Sequence, residues 1–118
     1  IDLVKIPCSK WLTQKIIQSA EKIKGISIHE GTILTGDQFI NSSEKLFELR
    51  KTFDGIACEM EAGSIGHVCY YNGVDFAIIR SISDRADNDS PVDFESFIKN
   101  SSKNSAAILN EFTKSFQD

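Results

Sequence analysis

The sequence predicts an α/β layered fold in which helices flank a largely parallel sheet. Three observations point there. Short apolar runs, Gly55-Ile56-Ala57-Cys58 and Val74 to Ser81, have the length expected of buried strands, and the second is rich in β-branched residues. Stretches with apolar residues three or four apart alternate with such runs. Turn-forming residues separate the two kinds of segment, and no linker, repeat or domain boundary breaks the alternation.

The first helix is expected over Ser9 to Lys24, where Trp11, Leu12, Ile16, Ala20 and Ile23 form a stripe and Gly25 is a stop. Ile26 to Thr35 reads as one or two short strands interrupted at Gly31, with Thr35-Gly36-Asp37 as a loop. Asn41 is placed to cap the next helix, with Glu44 in the capping-box position and Leu46, Phe47 and Leu49 as the apolar face; it should end near Thr52. Behind the Gly55–Cys58 strand, Glu61 to Tyr71 reads as a helix with Ile65, Val68 and Cys69 inward, broken by Asn72-Gly73. Val74 to Ser81 is a strand, Ser83 to Pro91 an acidic loop, and the chain from about Val92 one long helix. Phe94, Phe97, Ile98, Ile108, Leu109, Phe112 and Phe116 mark its buried stripe.

Composition narrows the function. With 118 residues, 41% hydrophobic and 25% charged, the chain is one modest globular domain or a piece of a larger one. Seventeen acidic against thirteen basic residues give a net charge of −4, which argues against nucleic acid or an anionic membrane as partner. The longest apolar runs fall far short of the ~20 residues of a membrane helix. Three cysteines without a C-x-x-C pair speak against a disulfide scaffold or zinc ribbon and for buried free thiols in a reducing cytosol. No metal-ligand spacing, dinucleotide fingerprint or P-loop is present.

In folds of this class ligands sit beyond the carboxyl ends of the strands. Two polar clusters fall there. The first is Cys58-Glu59-Met60-Glu61-Ala62. If the extended backbone continues, Glu59 and Glu61 share a face and Met60 takes the other. Either carboxylate can grip two adjacent hydroxyls of a ribose; both can equally serve the positive end of the following helix. The second is Arg80-Ser81-Ile82-Ser83-Asp84. Partial burial would raise Asp84 from the ordinary Asp value of about 3.9 and make it a proton donor; as part of an ordinary acidic loop it would cap a turn. Arg80 can salt-bridge, or orient an anion or a water molecule. Phe39, in Gly36-Asp37-Gln38-Phe39-Ile40-Asn41, can stack on a flat base with the Ile40 backbone reading its edge, or staple the helix start. His67 reads as a core or interface histidine, and His29 has no partner pattern.

Taken together and in order, Gly36-Asp37-Gln38-Phe39-Ile40-Asn41, Cys58-Glu59-Met60-Glu61-Ala62, His67-Val68-Cys69 and Ser83-Asp84-Arg85-Ala86-Asp87 resemble the bacterial 5'-methylthioadenosine/S-adenosylhomocysteine nucleosidases, from about Ile6 to the chain end. The E-M-E-A element is shared with nucleoside phosphorylases; the G-D-x-F-I-N and S-D-x-A-D elements are those of the hydrolase branch. The resemblance implies a three-layer phosphorylase/hydrolase-like fold, of which this chain is the carboxyl-terminal half. It implies Asp84 as the acid that protonates purine N7, with Ser83 fixing its side chain, and Glu61 as the ribose clamp. Met60 would pack on the sugar, Phe39 stack on adenine, the Ile40 backbone read its N6 and N1 edge, Arg80 help hold the attacking water and Phe94 line the sugar side. Glu59 would bind substrate or only shape the pocket.

Also implied are a homodimer in the cytoplasm with no metal or organic cofactor, and an amino-terminal half that carries the water-activating glutamate. Without that half the chain is expected to be inactive and to expose apolar faces. Three other readings stay open: a phosphorylase using phosphate, a non-catalytic binding module, and a hydrolase of another nucleoside such as futalosine. A phosphorylase needs a cationic cradle, for which this segment offers chiefly Arg80, Arg85 lying in an acidic loop.

Overall fold

The computed structural model describes residues 5–36, 43–82 and 94–117. Its elements run α1 (Lys10–Ala20), β1 (Ile33–Thr35), α2 (Ser43–Phe53), β2 (Ala57–Glu59), α3 (Ala62–Tyr71) and α4 (Phe94–Lys114). The two strands pair in parallel, Ile33 against Ala57, Leu34 against Cys58 and Thr35 against Glu59, with α2 as the crossover between them. The alternating α/β order with parallel pairing is therefore present.

Element ends follow local chemistry. The main chain tightens after Ala20, where Lys22 N–H and Ile23 N–H reach back only three residues to Ser19 and Ala20 carbonyls, so α1 stops four residues before the expected Lys24. At the end of α3, Gly73 takes φ 66°, a left-handed conformation that costs glycine little, as Asn72-Gly73 suggested. Glu44 lies in the first turn of α2; the expected Asn41 cap lies outside the described residues.

Two strand expectations are corrected. Only Ile33–Thr35 of the Ile26–Thr35 stretch is strand, and Val74 to Ile82 is extended with no neighbouring strand among the described residues. A strand exists only where a neighbour takes its amides. Here Phe76 gives its carbonyl to Ser9 N–H at 2.8 Å and its N–H to Ser9 Oγ at 2.9 Å. Ser9 Oγ in turn donates to Asp75 Oδ1 at 3.2 Å, and Trp11 Nε1 donates to Asp75 Oδ2 at 3.1 Å. The start of α1 thus clasps the segment that leads to Arg80.

The inward faces also differ from the expected stripes. On α3 the buried positions are Ala62 and Gly66, whereas Ile65 and Val68 stand 53% and 64% exposed. Phe76 lies so close to Gly66 that a Cβ there would sit 3.0 Å from its ring, so the bulky residues turn away. On α4 Ile108 is buried, but Ile98 and Leu109 are exposed, as is Phe116 just past the end of the helix. Phe116 stands edge-on to Trp11 and Phe112, beneath the Lys15 ammonium at 4.8 Å, where α4 packs on α1. Phe47 of α2 and His67 are exposed too, His67 tilted against Tyr71 at 4.8 Å. Of the three free thiols, Cys8 is exposed, while Cys58 and Cys69 are partly covered.

The result is a slab of 49 × 42 × 18 Å in which, among the described residues, the buried apolar side chains are Ala20, Ala62, Phe76 and Ile108. Its accessible surface is 9162 Å². A compact chain of this mass would expose about 6,400 Å². No helix among the described residues is long and apolar enough to cross a membrane.

Candidate functional site

The parallel register brings the carboxyl ends of β1 and β2 level, with Thr35 beside Glu59. Just past Glu59 the chain bends through Met60 and Glu61 and enters α3 at Ala62. Four groups are brought together at this edge: Thr35, Glu59, Glu61 and, from the end of the extended segment, Arg80.

Glu59 is 9% exposed and turns inward. Its Oε2 accepts the N–H of Glu61 at 2.8 Å and of Ala62 at 2.7 Å, and its Oε1 accepts the Thr35 hydroxyl at 2.5 Å. These are amides of the helix start, which have no partner within α3 itself. Burial pushes the Glu59 carboxyl up, but the Thr35 hydroxyl, the two amides and the charge of Arg80 outweigh it and hold the group below the ordinary carboxylate range. For Cys58, one residue earlier, burial alone raises the thiol.

Glu61 points the other way. It occupies the N-cap position of α3, but its side chain makes no capping bond; the N–H two residues on, that of Gly63, is held by Thr35 Oγ1 instead. The Glu61 carboxylate is 68% exposed and faces Arg80, Nη1 to Oε2 3.9 Å. Such an open pair contributes little to stability, so its importance lies in placement. The condition for Glu59 and Glu61 to share one face is not met: the extended backbone ends at Glu59, whose carboxylate instead serves the start of the following helix, the other reading the sequence left open. Met60 lies between them, 46% exposed.

Arg80 also borders an open depression of about 400 Å³ between the extended segment and α4, shared with Ile79, Ser81, Phe97, Ser101 and Ser105. Phe39, Ile40, Ser83 and Asp84 lie outside the described residues, as does the side chain of Phe94, whose backbone opens α4. Sequence reasoning missed Thr35, whose role arises from strand register, and Phe97, which stands one turn along α4 from Phe94.

The depressed Glu59 carboxyl has a testable consequence. Its contribution to stability is fully present above the ordinary value near 4.5 and is lost as pH falls through the lower folded value. Glu59→Gln should cost about 1–3 kcal/mol at neutral pH. In thermal melts the gap from wild type should narrow steadily below about pH 4.5. A gap independent of pH would show that the charge is not what holds α3.

A family model described as the phosphorylase superfamily matches residues 1–114. A 5'-methylthioadenosine/S-adenosylhomocysteine nucleosidase of an Exiguobacterium species is 42% identical over 95 residues, 80% of this chain and 41% of that protein. Among solved structures, futalosine hydrolase of Helicobacter pylori matches with a TM-score of 0.81 at 34% identity, over 94% of this chain and 47% of that one. The Campylobacter jejuni 5'-methylthioadenosine/S-adenosyl homocysteine nucleosidase matches with a TM-score of 0.85 at 32% identity, over 94% and 48%. The chain thus spans somewhat under half the length of these relatives.

Proposed function

The chain belongs to the phosphorylase superfamily, and on that premise we propose that it is the carboxyl-terminal part of a nucleosidase. The enzyme would hydrolyse the N-glycosidic bond of 5'-methylthioadenosine and S-adenosylhomocysteine, and of 5'-deoxyadenosine, releasing adenine. The observation that carries this reading is the division of labour at the end of β2. Glu59 is spent on the helix, which leaves the Glu61 carboxylate open, beside a guanidinium, at the carboxyl edge of the sheet.

In the proposed mechanism Glu61 accepts hydrogen bonds from the ribose 2'- and 3'-hydroxyls. Its charge favours the cationic sugar that develops as the bond from C1' to N9 breaks. Arg80, 3.9 Å from Glu61, is within reach of the same side and helps hold the attacking water. Met60 packs on the sugar, and Phe94 lines the pocket near it. Asp84, four residues past Arg80, protonates purine N7 so that adenine leaves neutral, with Ser83 fixing its side chain. Phe39 stacks on adenine and the Ile40 backbone reads its edge. The mechanism needs no metal or organic cofactor. The base that activates water is supplied by an amino-terminal half, packed on the faces this chain leaves exposed, and the working unit is a cytoplasmic homodimer.

A second reading, hydrolysis of futalosine, is favoured by the likeness to the Helicobacter enzyme. Both are tested by one assay on the complete protein carrying this chain: release of base from methylthioadenosine, S-adenosylhomocysteine, 5'-deoxyadenosine and futalosine, with and without phosphate. Adenine release at equal rates in both buffers is expected. Strict dependence on phosphate would make the enzyme a phosphorylase, and release from futalosine alone would select the second reading.

A further inference from the structure

We propose that Thr35 is a positioning residue for Glu61, acting through Glu59; the inference rests on the nucleosidase reading above. The Thr35 hydroxyl has one proton to give and lone pairs to accept, and both are used. It donates to Glu59 Oε1 at 2.5 Å and accepts the Gly63 N–H at 2.9 Å. With Glu59 Oε2 on the amides of Glu61 and Ala62, three successive N–H groups at the start of α3 are held by two side chains from two strands. The connected set runs from β1 through β2 to the residue that carries the clamp. Linked bonds of this kind stiffen one another.

A second observation marks the same contact. A Cβ on Gly63 would sit 2.9 Å from Thr35 Cβ and 3.0 Å from its Cγ2, closer than side chains tolerate. The first turn of α3 is thus packed directly on Thr35, and its approach depends on glycine at 63. Among the described residues the Glu61 carboxylate is ion-paired with Arg80, which is itself half open to solvent. The direction of Glu61 is therefore inherited from its own main chain, φ −119° and ψ −30°, which Glu59 pins.

The test uses Thr35→Val, Thr35→Ser, Glu61→Gln and the Glu61→Gln/Thr35→Val pair in the complete protein. Valine has threonine's shape and suits a strand, so the change removes the hydroxyl and little else. Losing one connected hydrogen bond should lower kcat/KM for methylthioadenosine roughly tenfold. Serine should restore it to within about twofold, and the paired variant should be no worse than Glu61→Gln alone, since Thr35 acts only by way of Glu61. Amide exchange at Glu61, Ala62 and Gly63 should quicken about tenfold in Thr35→Val and return in Thr35→Ser, with α4 unchanged. Losses that multiply, a serine that fails to restore, or a valine variant within about twofold of wild type would overturn the proposal. Should the wild-type protein release no base, the nucleosidase reading fails by itself. The exchange rates still decide whether Thr35 holds the start of α3, and unaltered exchange would overturn that too.

Discussion

Asp84→Asn in the complete protein should abolish adenine release while leaving the affinity for a non-hydrolysable substrate analogue within a few fold. Adenine is a poor leaving group as an anion and a good one once N7 is protonated, so the bond to C1' breaks only as fast as a proton can be supplied. A positioned acid contributes about 10²- to 10⁴-fold to such a step. Asn matches the shape of Asp and can still hydrogen-bond N7, but it has no proton to transfer at any working pH. In the proposed mechanism Glu61 and Arg80, 3.9 Å apart, serve the ribose end and therefore cannot substitute for it. The measurement is kcat beside the dissociation constant of the analogue. A collapse of kcat with binding retained supports Asp84 as the acid. Full turnover in Asp84→Asn would remove the central chemical claim, whereas loss of both together would indicate a damaged pocket.

Local features of the fold were legible where local chemistry decides them. The apolar run before Glu59, the break at Asn72-Gly73 and the long final helix all lie close to where spacing and turn residues place them. What spacing could not reveal depends on contacts far apart in sequence. Val74 to Ser81 has the composition of a strand, yet strand pairing belongs to two segments at once, and this one meets Ser9 instead of a ladder. The inward face of α3 is set by Phe76, ten residues beyond Gly66, so the helix buries its smallest residues and shows its largest. Glu59 and Glu61 are chemically identical two residues apart. Only the bend into α3 makes one a structural anchor and the other an open carboxylate. Thr35 was invisible for the same reason, since its partnership with Glu59 is created by a strand register across a 24-residue separation.

The 118-residue polypeptide produced alone should release no adenine and should be poorly soluble. Its surface exceeds what a compact chain of its mass exposes by more than a third, and large apolar side chains contribute to it, among them Ile65 and Val68 of α3, Phe47 of α2, and Val74 and Ile82 at the two ends of the extended segment. Large apolar side chains left open to water favour association unless something covers them. Val74 to Ile82 also presents backbone groups that no described strand takes up, which invites edge-to-edge pairing between copies. Relatives of the chain are about twice its length, so cover of the right size exists among them. The chemical expectation is independent of the physical one. The proposed mechanism draws its water-activating base from outside these residues, and Arg80 can orient water but, as a fixed cation, cannot take its proton. Light scattering on the purified polypeptide and a coupled assay for adenine check the two halves separately. A monodisperse, soluble polypeptide would show that the exposed faces need no partner. Measurable adenine release from it would place the whole catalytic machinery inside these 118 residues and overturn the assignment of the base to another segment.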